Sequence, residues 1–597
     1  MSTVILTGPP VPGSPLEDEL RSLGFDVRPV TGPEDAAAAL ADVPAHERVA
    51  VVDSAFVGHP HALRLALTDP RFDACAVTGA LAVQAGARGA LDRAAALAPE
   101  TVGGGDGPYP DRLAAAVEAA GTSVQRPELG TLVAAVPGSE AERARAEAEV
   151  AAVDDEAVRL RTAVKSRDGF FTTFFVSPYS RYIARWCARR GLTPNQVTTA
   201  SLITALIAAG CAATGERWGY VTAGVLLLVS FVLDCTDGQL ARYSLQYSTM
   251  GAWLDATFDR AKEYSFYAGL ALGAARDGDD VWALALGAMI LMTCRHVVDF
   301  AFNEANHDAT ANTSPTAALS DRLDSVGWTV WARRMIILPI GERWAMIAVL
   351  TAVTTPRIVF YALLVGCAFG ALYTTAGRVL RSLTRKATRT DRAAGALADL
   401  ADSGVLAWTG GDRRPARHRP GYVPLLTAAV GSVLMVAGAV TLDFGDPWLI
   451  AVAAAYVVLS GAAVSAPLKG ALDWLIPPLF RCAEYVTILA LAVKADVPGT
   501  LPAAFGLVAA VAYHHYDAVY RIRGGSGAPP HWLVRTIGGH EGRVLATVVL
   551  ATVLPRDAFP VALTVLAVFV ALVVLVESIR FWVSAGAPAV HDEGEPA

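Results

Sequence analysis

The chain has 597 residues, 53% of them hydrophobic, and a formal net charge of −7 at pH 7. It is too long for one ordinary domain, and its mean hydropathy of +0.41 is high for a soluble protein. No basic, aromatic-interleaved patch suggests a nucleic-acid partner, and the seven scattered cysteines form no CxxC pair, which argues against a zinc site or a disulfide framework.

The N-terminal part has the composition of a globular protein. Short β-type runs alternate there with Ala- and Leu-rich segments, which predicts an α/β domain with a mostly parallel sheet over residues 1–150. The first residues lack the basic and apolar regions of a signal peptide, so we expect this domain to stay in the cytoplasm. The stretch 103–110 predicts a loop, and 138–165 predicts a long solvated helix. The predicted strands are 3–8, 48–53, 74–79 and 131–136.

Long apolar segments begin near residue 195 and have the length that a bilayer requires, about 20 residues each. Before them, residues 166–190 combine phenylalanines with arginines, which is typical of an amphipathic helix at the membrane interface. Thr193 and Pro194 suit the cap and the first position of the next helix. We predict twelve membrane spans: 197–215, 218–237, 251–275, 280–303, 340–355, 357–378, 422–441, 447–466, 472–494, 500–520, 541–555 and 559–583.

Basic residues indicate the orientation of these spans. They precede the first span and fill the segment after the sixth, whereas the loop 276–280 after the third span is acidic. The positive-inside rule therefore predicts that the N-terminus, the segment 379–421 and the C-terminus are cytoplasmic in a multi-pass protein of the plasma membrane. The basic residues are Arg181, Arg185, Arg189, Arg190, Arg378, Arg381, Arg385, Lys386, Arg413, Arg414, Arg417 and Arg419.

Four carboxylates lie at the expected cytoplasmic end of the second and third spans. Asp234 and Asp237 are three residues apart, and Asp255 and Asp259 are four apart, so each pair lies on one helical face. Acids this close to a membrane repel one another unless cations neutralise them, and oxygen-only ligands suit Mg²⁺ or Mn²⁺. Arg242, about one turn after Asp237, offers a fork of donors suited to phosphate oxygens. The pattern therefore predicts a metal-dependent site for a phosphorylated substrate.

The run D-x2-D-G-x2-A-R-x8-G-x3-D-x3-D is complete in this chain. It resembles the signature of the CDP-alcohol phosphatidyltransferase family, and the six spans from about 197 to 378 fit that family's membrane domain. The resemblance implies that residues 165–380 form this domain, with two Mg²⁺ or Mn²⁺ ions. The signature residues are Asp234, Asp237, Gly238, Ala241, Arg242, Gly251, Asp255 and Asp259.

The resemblance also implies a role for each of these residues. Three of the aspartates hold the ions, with Asp259 close by as a further ligand. Asp259 is also expected to be the base that deprotonates the acceptor hydroxyl. The expected metal ligands are Asp234, Asp237, Asp255 and Asp259, and the expected contacts to the CDP moiety are Gly238, Ala241, Arg242, Ser248 and Asn195.

The N-terminal domain carries a weaker resemblance. Residues 165–186, followed by TPNQVT, are similar to the junction in bifunctional inositol-phosphate enzymes, where a nucleotidyltransferase domain precedes the transferase. Residues 49–67 resemble a nucleotidyltransferase strand that ends in a metal-binding acid, here Asp53. The first strand, however, precedes GPPVPGSPL instead of a Gly-rich loop with Arg and Lys that cradles a triphosphate. We therefore interpret residues 1–150 as a diverged nucleotidyltransferase-like domain with a regulatory or scaffolding role.

The C-terminal spans predict a degenerate repeat of the first six. Residues 253–273 resemble 474–494, and 341–357 resemble 541–556 with one gap. We predict a second six-helix unit over 422–585, without the metal ligands and joined by a basic linker, 381–421. Two helix sets that are alike only in their Ala/Val-rich composition are the alternative. Aligned pairs are Arg260 with Arg481, Glu263 with Glu484, Tyr264 with Tyr485, His296 with His514 and Asp299 with Asp517.

These features predict an α-helical polytopic membrane protein of two six-helix units with an N-terminal cytoplasmic α/β domain. The expected reaction transfers a phosphoalcohol group from a CDP-alcohol, such as CDP-diacylglycerol, to a hydroxyl acceptor such as an inositol phosphate or another polyol phosphate. CMP is released, in phospholipid biosynthesis among membrane lipids. The protein is expected to be a homodimer or an intramolecular pseudo-dimer. One alternative is a CDP-inositol donor. The other is a non-catalytic scaffold or transporter, and the presence of a metal pattern in only one of the two repeats disfavours it.

Overall fold

The computed structural model describes residues 2–44, 47–69, 72–96, 107–165, 168–307, 310–313, 335, 337–384, 386–406, 422–524 and 526–584. Residues 103–106 of the predicted loop 103–110 lie outside these residues, as do Arg385, Arg413, Arg414, Arg417 and Arg419. The last two residues of that prediction, Tyr109 and Pro110, begin a helix instead. The chain divides into two compact units. The first comprises 1–166, 181–194 and 236–248, and the second comprises 167–180, 195–235 and 249–597.

A six-stranded mixed sheet lies at the centre of the N-terminal domain. The domain's strands are β1 (Ser2–Thr7), β2 (Phe25–Val30), β3 (Arg48–Asp53), β4 (Val57–Gly58), β5 (Ala74–Val77), β6 (Ala80–Val83), β7 (Val124–Gln125) and β8 (Ala134–Ala135). The order in the main sheet is β2-β1-β3-β6-β5-β7. β1 pairs in parallel with β2 and β3, whereas β6 runs antiparallel to both of its neighbours.

Helices cover both faces of this sheet. Because successive strand residues point to opposite faces, Val49 and Val51 lie in one apolar core and Ala50 and Val52 in another. All four side chains are fully buried, as expected for a central strand without a polar face. The helices are α1 (Leu16–Ser22), α2 (Pro33–Ala41), α3 (Pro60–Leu67), α4 (Arg88–Ala95) and α5 (Tyr109–Ala119).

Three of the four predicted strands are confirmed in the main sheet, and the fourth is not. Only Ala134–Ala135 of the run 131–136 is a strand, and it pairs with β4 in a separate two-stranded sheet. Five of the six strands run in the same direction, so the prediction of a mostly parallel sheet is confirmed. β6 runs antiparallel because β5 and β6 form a tight hairpin, which the sequence did not predict. Gly79 in its turn has a φ of +79°, a conformation that glycine adopts without a steric penalty.

The predicted long helix 138–165 is two helices, α6 (Glu140–Ala151) and α7 (Asp155–Thr162). Asp154 separates them, and its side chain accepts a hydrogen bond of 3.1 Å from the backbone N–H of Ala157. This N-cap starts the second helix and accounts for the break. After it, a π-helical turn (Thr172–Val176) leads into α8 (Ser177–Arg189). Exposed aromatic side chains in this stretch agree with the predicted interfacial helix: Phe174, Phe175, Tyr179, Tyr182 and Trp186.

Helices occur at all twelve predicted spans. They are α9 (Pro194–Ala212), α10 (Arg217–Ser244), α11 (Thr249–Arg276), α12 (Trp282–Asn306), α13 (Ile340–Val353), α14 (Pro356–Thr384), α16 (Val423–Thr441), α17 (Trp448–Val464), α18 (Ile476–Ala495), α19 (Thr500–Arg523), α21 (Gly539–Val553) and α22 (Phe559–Ser584). Two short helices lie between them, α15 (Asp391–Leu400) and α20 (His531–Thr536).

Among the described residues, seven of these helices are long and apolar enough to cross a membrane. α13, α17 and α21 are shorter, and α11 and α19 are long enough but more polar. The chain is therefore a multi-pass membrane protein. Within the expected linker 381–421, α15 buries Leu397 and Leu400 against other helices, so this stretch is packed structure. Residues 310–313 and 386–388 form a two-stranded antiparallel pair.

A buried Arg–Glu–Arg triad links α11 and α13. Arg260 Nη1 donates a hydrogen bond of 2.8 Å to Glu263 Oε2, and Arg343 Nε lies 3.0 Å from Glu263 Oε1. The hydroxyl of Tyr267 also donates to Glu263, at 2.7 Å. The carboxylate side chain is 1% exposed, so its charge is balanced by the two guanidinium groups and not by water.

A second triad of the same form links α18 and α21. Arg481 Nη1 donates to Glu484 Oε2 at 2.6 Å, and Arg543 Nε donates to Glu484 Oε1 at 2.6 Å. Here a further carboxylate, Asp402, accepts hydrogen bonds from both arginines and lies 3.0 Å from His514 Nε2. The two triads share the order of residues along the chain and the choice of nitrogen that meets each carboxylate oxygen.

Candidate active site

Three carboxylates of the signature come together where α10 ends and α11 begins. Asp234 and Asp237 are one turn apart on α10, and Leu245, with a φ of +52°, ends this helix before Thr249 begins α11. One carboxylate oxygen from each of Asp234, Asp237 and Asp255 lies within 4.8 Å of the others. The structure therefore brings together three of the four predicted metal ligands.

This donor set suits a small, hard divalent cation. Mg²⁺ binds oxygen at about 2.1 Å, so two oxygens on one ion are about 3 to 4 Å apart, which the observed spread reaches with small side-chain rotations. Asp237 is buried and the Asp234 side chain is 13% exposed, so the oxygens are largely withdrawn from water. An oxygen-only set of three carboxylates fits Mg²⁺ or Mn²⁺ and does not fit a thiolate-seeking metal.

Asp259 lies outside that group of three and pairs with a lysine. Its Oδ1 is 3.0 Å from Nζ of Lys262, three residues further along α11. The same ammonium forms a short hydrogen bond with Asp234. Sequence reasoning missed Lys262, although its spacing from Asp255 and Asp259 puts it on their helical face.

Arg242 lies alongside Gly238 on α10. A Cβ built on Gly238 would meet Nη1 and Nη2 of Arg242 at 3.5 Å each. Arg242 Nε donates a hydrogen bond of 2.7 Å to the backbone carbonyl of Ala163. This bond fixes the guanidinium plane while the terminal nitrogens point along the helix towards the acidic end of the signature, an orientation suited to phosphate oxygens.

The other predicted nucleotide contacts occupy less defined positions. Ala241 is half-buried on α10, and Ser248 is exposed in the turn before α11. Asn195 is half-buried in the first turn of α9, where its backbone carbonyl accepts a hydrogen bond of 2.8 Å from Thr199 Oγ1. Their roles towards a nucleotide stay predictions.

The candidates for acceptor binding on α12 have partners in the protein. Arg295 donates a short hydrogen bond to the backbone carbonyl of Ile337. His296 Nδ1 forms a short hydrogen bond with the hydroxyl of Tyr516 on α19. Asp299 forms a short ion pair with Arg378 on α14. These contacts agree with the alternative reading that such residues tie helices together.

In the N-terminal domain, Asp53 is turned towards its own loop. It ends β3, and its Oδ1 accepts a hydrogen bond of 2.9 Å from the N–H of Ala55. Asp111 accepts one of 2.8 Å from the N–H of Gly79. Burial raises the pKa of both carboxyl groups above the ordinary value. The loop after β1 is tied to the end of β3 through Ser54, the residue after that strand, whose Oγ donates to the carbonyl of Pro9 at 2.8 Å.

Comparison with known proteins assigns two families to the membrane part. Residues 191–372 match the model of the CDP-alcohol phosphatidyltransferase family. This range includes the three-carboxylate group, Asp259 and Arg242. Residues 391–597 match a family of unknown function (DUF5941). This second match begins at the first residue of α15 and covers the C-terminal helices.

Curated relatives match part of the chain. An archaetidylinositol phosphate synthase of Pyrococcus horikoshii is 32% identical over 115 residues, 19% of this chain and 58% of the relative. A phosphatidylinositol phosphate synthase of Mycolicibacterium smegmatis is 35% identical over 123 residues, 20% and 53%. A bifunctional IPC transferase and DIPP synthase of Rubrobacter xylanophilus is 42% identical over 84 residues, 14% and 18%. The chain thus spans less than two thirds of each of these relatives.

Proposed function

We propose, from the match of residues 191–372 to the CDP-alcohol phosphatidyltransferase family, that this part transfers a phosphoalcohol group from a CDP-alcohol to a hydroxyl acceptor and releases CMP. The observation that carries the proposal is the three-carboxylate group of Asp234, Asp237 and Asp255 within that range. Synthases and transferases of inositol phosphate compounds among the relatives support the same reaction class.

Each residue of the site has a chemical task in this reaction. Asp234, Asp237 and Asp255 would hold the divalent ion, Mg²⁺ or Mn²⁺, which when bound neutralises diphosphate charge and stabilises the CMP leaving group. Asp259 accepts the proton of the acceptor hydroxyl, whose oxygen bonds to the distal phosphorus as the bond from that phosphorus to CMP breaks. Arg242 donates to the phosphate oxygens.

The remaining donor contacts follow from the shape of α10. Gly238 leaves the backbone of the helix open beside the guanidinium of Arg242, so a nucleotide could lie against it. Ala241 adds little bulk one turn further along. Ser248 and Asn195 are proposed as polar contacts to the nucleotide.

For the substrates we propose CDP-diacylglycerol as donor and an inositol phosphate as acceptor. The similarity to an archaetidylinositol phosphate synthase and a phosphatidylinositol phosphate synthase supports an inositol phosphate compound. CDP-inositol as donor is the second candidate, supported by the similarity to bifunctional transferases. The proposed location is the plasma membrane with the active site facing the cytoplasm, because Arg181, Arg185, Arg189 and Arg190 precede α9.

For the N-terminal domain we propose a scaffolding role and no nucleotidyl transfer. The loop after β1 lacks Arg and Lys, and the Asp53 carboxyl is bound by its own loop. For the C-terminal helices we propose a degenerate second six-helix copy that makes an intramolecular pseudo-dimer. The two Arg–Glu–Arg triads support this, since they use aligned residues of α11 with α18 and of α13 with α21.

The reaction is tested with the purified full chain in detergent or lipid. CMP release is followed with CDP-diacylglycerol or CDP-inositol and a panel of alcohols and polyol phosphates, with Mg²⁺ or with chelator, and the products are identified by mass spectrometry. Mg²⁺-dependent CMP release coupled to a new phosphodiester supports the proposal. Absence of CMP release with every pair under conditions where a relative is active would refute it. CTP consumption with inositol phosphate would refute the scaffolding role of the N-terminal domain.

A further inference from the structure

Lys262 is a buried cation inside the candidate metal site. Its side chain is 0% exposed, and its Nζ meets Asp234 and Asp259, the latter at 3.0 Å. It also donates to Ser201 Oγ at 3.2 Å, and it lies 5.5 Å from the centre of the Trp344 ring. Residues from four helices, α9, α10, α11 and α13, therefore surround one ammonium group.

The ammonium group of Lys262 is shielded from water, because the whole side chain is buried. A lysine charge removed from solvent remains favourable only while opposite charges and hydrogen-bond partners surround it. Withdrawing it would remove the ion pair with Asp259 and would require the enclosed stem to move through the packing beneath Trp344, which is 1% exposed. These contacts therefore hold Lys262 in place as a fixed part of the site.

The lysine divides the four carboxylates into two groups. Asp234, Asp237 and Asp255 form the three-oxygen group that fits one divalent ion. Asp259 lies outside it and faces Lys262. Asp234 belongs to both groups, which its two oxygens allow, since a carboxylate offers about four lone-pair directions. A second divalent ion held by Asp259 and Asp234 would compete for the space that the ammonium fills.

The charges agree with this division. Four carboxylates carry four negative charges, and one divalent ion with the ammonium supplies three positive charges before the diphosphate binds. Two divalent ions with the ammonium would supply five, and the net imbalance of one charge is the same in size for both counts. The difference is that a second ion would lie within a few ångströms of the fixed ammonium, and like charges this close in a largely dry site are costly.

The aligned helix of the C-terminal half carries an independent argument. The residues opposite Arg260 and Glu263 are Arg481 and Glu484, which form the same triad. The residues opposite Asp255, Asp259 and Lys262 are Ile476, Phe480 and Ala483. The aligned helix of the C-terminal half therefore lacks counterparts of Lys262 and of the metal carboxylates, whereas it keeps the neighbouring Arg and Glu of the ion pair. The lysine belongs to the acidic site and not to the helix packing.

We propose that Lys262 takes the place of a second metal ion, so that this site binds one divalent cation at Asp234, Asp237 and Asp255, with the ammonium as the fixed counter-charge of Asp259. The inference rests on the proposed function only in taking the three carboxylates as a metal site. It departs from the two ions that the sequence resemblance implies.

The test counts ions and does not depend on turnover. The full-length wild-type chain is stripped with a chelator and titrated with Mn²⁺, and bound metal is measured by equilibrium dialysis with elemental analysis. One Mn²⁺ per chain, with the electron paramagnetic resonance spectrum of an isolated ion, is expected. Two ions per chain with a spin-coupled spectrum would overturn the inference and leave the proposed function intact. No bound Mn²⁺ would overturn both, because the three carboxylates would then not be a metal site.

A variant tests whether Lys262 determines the number of divalent ions that the site binds. In Lys262→Met, which keeps the length of the side chain and removes its charge, we expect two Mn²⁺ per chain and a spin-coupled spectrum, because close ions in two-metal sites are about 3.5 to 4 Å apart. Ser201→Ala, which removes the hydrogen bond to the lysine and those to Ser230 but no charge, is the matched control and should keep one ion. A folded Lys262→Met chain that still binds one ion would overturn the role of Lys262, and the wild-type count decides the matter if the variant does not fold.

Discussion

The Nε atom of Arg242 donates a hydrogen bond of 2.7 Å to the backbone carbonyl of Ala163, just after α7. Two further contacts hold the same end of α10. Arg64 Nη2 donates to the carbonyl of Ser244 at 3.0 Å, and the hydroxyl of Tyr243 donates to Glu156 at 3.3 Å. All of these residues belong to the first compact unit. The N-terminal domain thus positions the arginine proposed to bind the donor phosphates.

Replacing Tyr243 by Phe should weaken donor binding more than turnover. The substitution removes the hydrogen bond to Glu156 and keeps the ring, and a hydrogen bond of this kind contributes about 0.5–1.5 kcal/mol. We expect KM for the CDP-alcohol to rise about 2- to 10-fold with kcat nearly unchanged. Steady-state kinetics measure both, and Tyr179→Phe, at an exposed aromatic residue, is the control. An unchanged KM would show that α10 is positioned without this contact.

Glu484 is the centre of the second triad, and its loss should destabilise the C-terminal helices strongly. In Glu484→Ala, Arg481 and Arg543 would remain buried with Asp402 as their one carboxylate partner among the described residues. Breaking a buried pair in this way costs about 3–5 kcal/mol. The unfolding midpoint in detergent should fall clearly.

The control for this prediction is Arg357→Ala, which breaks an exposed ion pair with Asp279. Exposed pairs contribute little because water screens them, so this midpoint should stay near that of the wild type. Equal midpoints for Glu484→Ala and Arg357→Ala would mean that the triad does not stabilise the helices.

The sequence could predict those features of the fold and the site that depend on a local residue pattern. Apolar runs of membrane length predicted a helix at every span. The spacing of Asp234 and Asp237 predicted that they share a helical face, because one helical turn repeats about every 3.6 residues, and the resemblance to a family signature added Asp255 of the next helix. The alignment between the halves paired Arg260 with Arg481 and Glu263 with Glu484, two residues of each triad, but it did not predict the third residue of either. In each of these cases, the residues that meet are close in sequence or related by the same spacing.

The features that the sequence could not predict depend on contacts between residues that are far apart in the sequence. β6 is too short and too Ala-rich to signal a strand, and its antiparallel place in the sheet depends on the hairpin at Gly79. The burial of α15 depends on distant helices. Lys262 resembles an ordinary helical lysine until Asp234 of α10 and Ser201 of α9 are brought against it.

Asp259 lies outside the three-carboxylate group although it is next to Asp234, and this position predicts two different defects. Asp255→Asn removes one of the three clustered carboxylates and should weaken Mn²⁺ binding and activity together. Asp259→Asn should lower kcat by about 10²- to 10⁴-fold, the range for a lost general base, and should leave Mn²⁺ affinity within a few-fold of the wild type. Isothermal titration and steady-state kinetics on the same preparations separate the effects. Loss of Mn²⁺ binding in Asp259→Asn would make this residue a ligand.

His61 predicts a loss of stability of the N-terminal domain at mildly acidic pH. Its side chain is 2% exposed, and neither ring nitrogen has a hydrogen-bond partner among the described residues. Burial, with the positive charges of Arg159 and Arg64 against the partial compensation of Asp155, lowers the pKa of His61 from 6.5 to about 4. The folded domain therefore keeps this ring neutral at a pH where the unfolded chain protonates it.

The sign follows from the difference in bound protons. Between pH 6.5 and about 4 the unfolded state binds the proton and the folded state does not, so the free energy of unfolding falls as the pH falls, by at most about 1.4 kcal/mol per pH unit. His61→Leu removes the titrating imidazole, so the free energy of unfolding of this variant should depend less on pH over the same range. Hydrogen-exchange mass spectrometry of peptides covering 48–67, comparing both full-length proteins at each pH, measures it. A wild-type protein that loses no more protection than His61→Leu between pH 6.5 and 4.5 would mean that His61 is not the titrating group.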